Sequence, residues 1–183
     1  MAPKSAGATC RFVVAALVLT ACSGTGSSSG TEAAASTTTV AAAPGAILRV
    51  DEIDDAVKAL EAKLGGPQDF FEINATTSLV NMIVALNDGK VAQPWVYFGG
   101  DLSSTEGAPA DGFSFASSAL DLDPDKVLGK LQAELPQSHP DLFFIEGGEG
   151  GVVRYSVAVT SSEGGQLIVV VGPDGAIQSV AAS

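Results

Sequence analysis

From residue 152 to 160 the chain reads Val-Val-Arg-Tyr-Ser-Val-Ala-Val-Thr, with Val153, Tyr155, Val157 and Val159 alternating against Arg154, Ser156 and Ala158. A period of two puts one set of side chains on each face of a strand, so this segment fits a sheet that is dry on one side and wet on the other. Seven more segments have strand character and are bounded by Gly, Pro and Asp clusters: 70–74, 79–87, 91–98, 113–119, 142–146, 166–171 and 176–180. Their links are short. Asp88-Gly89 and Pro173-Asp174-Gly175 are hairpin turns, and hairpins impose antiparallel pairing.

Two segments follow a helical period instead. Ile53, Val57, Leu60 and Leu64 form a stripe with acids at its start and Gly65-Gly66-Pro67 at its end. In the second, Asp123 suits the N-cap and Pro124 the first helical position, with Leu128, Leu131 and Leu135 on one face before Pro136. Val57, Leu60 and Leu64 recur as Leu128, Leu131 and Leu135, Phe70-Phe71 recurs as Phe143-Phe144, and Asp88-Gly89-Lys90-Val91 recurs as Asp174-Gly175-Ala176-Ile177. The spacing between copies grows along the chain, which implies an added hairpin in the second copy. The expectation is an α+β fold: two tandem helix-plus-antiparallel-strand units, about 50–121 and 122–183, forming one sheet with helices on one face.

The N-terminal part has a different character. Residues 1–11 carry Lys4 and Arg11 and no acid, and 12–21 is a short apolar run ending in small residues, the layout of a cleaved signal peptide. A membrane-spanning helix needs roughly 20 apolar residues, about twice what this run supplies. Leu19-Thr20-Ala21-Cys22 resembles the lipobox of bacterial lipoproteins, and the Ala-, Gly- and Val-rich composition is similar to that of actinobacterial chains. The resemblance implies diacylglyceryl transfer to the Cys22 thiol, cleavage after Ala21, and a lipid anchor on the extracytoplasmic face of the cell membrane. Two or more acyl chains make such an anchor stable where one would be marginal. Residues 23–45 are almost wholly Ser, Thr, Gly and Ala, which predicts a disordered tether. The expected organisation is therefore a signal peptide at 1–21, lipidated Cys22 and linker at 22–46, and a folded domain at 47–183.

Charge and cysteine content narrow the function. Losing Lys4 and Arg11 with the leader leaves 7 basic against 21 acidic residues, a net charge of −14 that repels phosphate backbones and disfavours nucleic acid as a partner. Of the two cysteines, Cys10 leaves with the leader, so the mature chain has no pair for an internal disulfide. The tandem helix-and-strand pattern over about 50–181, with its late Asp-Gly-x-Ile hairpin, resembles the PepSY-like and beta-lactamase-inhibitor-protein-like folds of secreted bacterial proteins. That likeness implies protein binding through an open sheet face or its hairpins. The inhibitor-type disulfides are missing here.

Catalytic signatures are weak. Asp121, Asp123 and Asp125 alternate as in a calcium loop, yet Lys126 stands where the turn glycine belongs and Gln132 where the bidentate glutamate would be, so helix capping explains them better. His139, the only histidine, lies in a Ser-His-Pro turn, and no nucleophile elbow or paired-histidine metal motif accompanies it. The glycine-rich run 147–151 has no following helix and reads as a hairpin turn rather than a phosphate loop. No catalytic residue, metal ligand or cofactor is expected.

Trp95 and Tyr97 alternate with Val96 and Phe98. If the core takes Val96 and Phe98, the two larger rings face outward as binding anchors; if helices cover Trp95 and Tyr97, they belong to the core. The leading expectation is a non-enzymatic protein-binding or accessory module contacting its partner through Trp95, Tyr97 and Arg154. The alternatives are a carrier of lipid or a small hydrophobic ligand, and, behind that, an enzyme.

Overall fold

The computed structural model describes residues 47–182; the leader, the lipobox, Cys22 and the linker lie outside the described residues. A 3-10 turn at Arg49–Glu52 leads into helix α1, Ile53–Leu64. Of the stripe expected from sequence, Ile53, Val57 and Leu60 are buried, joined by Ala56, while Leu64, at the last turn, is exposed. Gly65 ends the helix with φ of +87°, and its amide donates to the Glu61 carbonyl; glycine holds that left-handed cap without the steric penalty of a Cβ.

Four strands follow: β1 (Asp69–Ala75), β2 (Val80–Leu86), β3 (Val91–Phe98) and β4 (Asp101–Ser104). Asn87, Asp88 and Gly89 all take positive φ in the β2–β3 turn, which suits residues that tolerate the left-handed region. Two short strands, β5 (Ala108–Pro109) and β6 (Phe115–Ala116), pair with β3 and β1 respectively. Helix α2 is Pro124–Glu134; the Asp123 carboxylate accepts from the Lys126 amide as N-cap and Pro124 opens the helix. Strands β7 (Ser138–Gly147), β8 (Val153–Ser161), β9 (Gln166–Val171) and β10 (Ile177–Ala182) complete the chain.

All ten strands belong to one antiparallel sheet, ordered β10-β9-β8-β7-β1-β2-β3-β4 with β5 and β6 beside β3 and β1. This overturns the expected α+β fold of two tandem helix-plus-antiparallel-strand units, about 50–121 and 122–183. The described residues form a single large sheet accompanied by two α-helices of only 12 and 11 residues. β1 and β7 pair directly, Ile73 opposite Ile145 and Ala75 opposite Phe143. The apparent repeat also matched hairpins that do different jobs. Asp88-Gly89 joins β2 to β3, the second and third strands after α1, whereas Asp174-Gly175 joins β9 to β10, the third and fourth after α2. The extra strands, β5 and β6, lie in the first half and not the second. The strand expected at 113–119 is reduced to β6 and a 3-10 turn at Ser117–Ala119.

The core is one layer. Phe70, Ile73, Met82, Trp95, Phe143, Ile145, Tyr155 and Val157 lie on a common sheet face by register and pack with Ile53, Leu60, Val127 and Leu131 from the helices. Tyr155 spans this layer, and its hydroxyl accepts from the Asp121 amide at 3.0 Å, tying the approach to α2 onto β8. Burial raises the pKa of that phenol. At the far end, Gly175 turns the β9–β10 hairpin with φ of +79°, and a Cβ there would lie 2.7 Å from both the Lys126 carbonyl oxygen and the Val127 Cα. The hairpin thus rests on the first turn of α2, and Lys130 Nζ reaches Asp174 at 3.3 Å beside it.

Candidate functional site: the open sheet face

The opposite face of the sheet carries a second, different set of side chains. Across the strands run two neighbouring rows. One passes through Val96, Asn81, Asn74, Phe144, Ser156 and Val170; the other through Pro94, Ile83, Glu72, Glu146 and Arg154. Each row is apolar at the β3 end and polar where β1 meets its neighbours. In the first row the surface turns apolar again at Phe144 and Val170. The middle of the face therefore carries amides and carboxylates, with apolar side chains toward β3 and, in the first row, beyond β1, while the second row ends at Arg154.

Hydrogen bonds organise that middle. Asn81 Nδ2 donates to Asn74 Oδ1 at 2.8 Å, and Asn74 Nδ2 donates to Glu72 Oε1 at 2.6 Å. Glu72 and Glu146 stand directly opposite on β1 and β7. Like charges in cross-strand register oppose each other, so this pair costs stability that the sheet recovers elsewhere. Arg154 faces Glu146 from β8. The arrangement presents acceptors for a cationic or hydrogen-bond-donating group, with apolar side chains toward β3.

Of the contacts expected from sequence, the structure puts Trp95 and Tyr97 on the covered face and Arg154 on the open one. Trp95 is 6% exposed, with Lys63 Nζ 5.2 Å from its ring centroid. Its Nε1 finds no acceptor among the described residues. Tyr97 is half-buried against the same core. The residues standing on the open face in their place are Val96, half-buried, and Phe98, 60% exposed. The alternation in 94–98 was the right signal for this, but it left open which parity the helices cover.

The remaining constellations resolve into structural roles. Asp123 caps α2 and its Oδ2 lies 2.7 Å from Lys126 Nζ; these contacts hold the carboxyl below its ordinary range and the ammonium above its own. The Asp121 amide is engaged by Tyr155. His139 pairs across from Thr160, whose hydroxyl donates to Asp141 Oδ2 at 2.6 Å. No group of three or more potential metal ligands occurs among the described residues. Beneath the C-terminal end of α2 lies a cavity of about 270 Å³, walled by Leu135, Pro136, Ser138, Ser161 and Leu167. That is below the roughly 300–1,000 Å³ usual for small-molecule sites.

No helix among the described residues is long and apolar enough to cross a membrane. Comparison with protein-family models, curated proteins and solved structures returns no match, so the site stands on the chain's own residues.

Proposed function

We propose that this protein is a lipid-anchored extracytoplasmic binding module. Cys22, acylated after cleavage behind Ala21, holds it on the outer side of the cell membrane, and its open sheet face receives another extracytoplasmic protein. It acts by binding, without catalysis or cofactor. The observation that carries this reading is the open face itself: a carboxylate and amide centre flanked by Phe144 and Val170 on one side and Ile83 and Val96 on the other. Net charge adds to it, because a strongly acidic chain favours a partner presenting basic side chains and disfavours nucleic acid. Arg154 remains among the contacts, opposite Glu146 on the same face.

Affinity purification of the full chain from detergent-solubilised membranes after cross-linking tests the reading. The wild type and Lys58→Ala, altered at an exposed position of α1, retain a common partner that Phe144→Asp loses. Equal recovery by Phe144→Asp, or no partner at all, overturns the binding role, and a stoichiometric lipid in organic extracts replaces it with a carrier. The anchor has its own test. Cys22→Ser shifts the protein out of the membrane fraction and abolishes the attached glyceride, and unchanged partitioning rejects the anchor.

A further inference from the structure

The sheet ends in two unlike edges. The β4 edge is short, four residues, begins with Asp101, and continues into β5, where Pro109 has no amide hydrogen to offer. Lys63 Nζ also donates to the Leu102 carbonyl at 3.2 Å, so α1 already engages this side. These are the devices by which sheet edges avoid pairing with another chain. The β10 edge has none of these, and its one irregularity is the register shift between Ile177 and Ser179. Ile177–Ala182 is six residues of Ile-Gln-Ser-Val-Ala-Ala, without charge or proline, exposed from Gln178 to Ala182, and paired among the described residues only with β9.

We infer that β10 pairs antiparallel with β10 of a second copy of this chain, joining two sheets edge to edge about a two-fold axis. Two features favour a second copy over a basic partner. A segment with no charge gives a cationic strand nothing to bind, and in a chain of net charge −12 it is a stretch where two copies approach without local repulsion. The register is also self-complementary. Val180, opposite core residue Val169, lies on the covered face, whereas Ser179 and Ala181 lie on the open face. Centring the two-fold on Val180 places it opposite its own symmetry mate and Ser179 opposite Ala181, so each face meets its like and no residue slips to the wrong side. Val180, 47% exposed, then loses its contact with water. Such a two-fold runs perpendicular to the sheet, so both open faces look the same way.

Sedimentation of the full chain in detergent, and oxidation of a Val180→Cys variant, test this independently of any partner on the open face. The wild type is expected at twice the protein mass of a monomer and Val180→Lys at the monomer mass, with its far-UV spectrum unchanged. Across the two-fold the Val180 Cα atoms sit about 4.5–5.5 Å apart, within reach of a disulfide. Val180→Cys therefore gives a covalent dimer as its main oxidised product, and Ser103→Cys on β4 does not. A monomeric wild type, a Val180→Lys variant that stays dimeric, or equal cross-linking from both edges overturns the inference.

Discussion

Phe143 and Phe144 are neighbours in sequence and opposites in environment. Phe143 is wholly buried, 6.4 Å from the Tyr155 ring, whereas Phe144 is half-buried on the open face between Asn74 and Ser156. The same side chain thus does two kinds of work one residue apart, because a strand turns successive residues to opposite faces. The covered face is mainly apolar, and its contacts decide whether the chain folds. On the open face amides and carboxylates interrupt the apolar side chains, and a cross-strand glutamate pair is tolerated.

Substitutions can sharpen this contrast or break it. Phe143→Ala should cost about 3–5 kcal/mol, the range for emptying a buried aromatic site, read as a lower urea midpoint at unchanged slope. Phe144→Ala should cost about 1 kcal/mol or less in the same experiment while weakening partner recovery. If the two lose stability equally, the open face is part of the core and the division fails. Between them lies Gly175→Ala. A Cβ at positive φ against the α2 backbone should cost about 1–3 kcal/mol, because neither the turn nor the helix can yield cheaply.

The smallest effect is electrostatic. Asp123 and Asp174 titrate below the ordinary carboxylate range, Asp123 through Lys126 and Asp174 through the Ala176 amide and Lys130. A depressed pKa gives a contribution that is complete above the ordinary value near 3.9 and fades as pH falls through the lowered one. Acid titration should therefore loosen the N-terminus of α2 and the β9–β10 hairpin slightly below pH 4, and Asp123→Asn should flatten that part of the profile. Both groups are open to solvent on one side, so salt should reduce the effect.

Much of this was legible in the sequence and some was not. The stripe of Ile53, Val57 and Leu60, the Asp123-Pro124 cap and the alternation in β8 gave the helices and the long strands, because each depends on local spacing. Their assembly depends on partners distant in the chain. That β1 pairs with β7 could not be read from either segment, and two Asp-Gly turns looked equivalent because turn chemistry does not record which strands a turn connects. β4 and β5 are too short for a periodic signal. In β3 both parities are apolar, Trp95 and Tyr97 on one and Val96 and Phe98 on the other, so only the packing of α1 decides between them. The open-face site was anticipated as a surface, but its centre was missed. Glu72 and Glu146 come together across β1 and β7, and they are 74 positions apart.

The chain holds a single tryptophan, and it sits beneath α1 with an ammonium group above its ring. Its fluorescence therefore reports on one layer alone. Emission should be blue-shifted while α1 stays docked on β3, and should move to the red when that contact opens. Ligands settling on the other side of the sheet leave this signal nearly still, so an optical change on adding a partner would reveal rearrangement inside the protein and not mere occupancy.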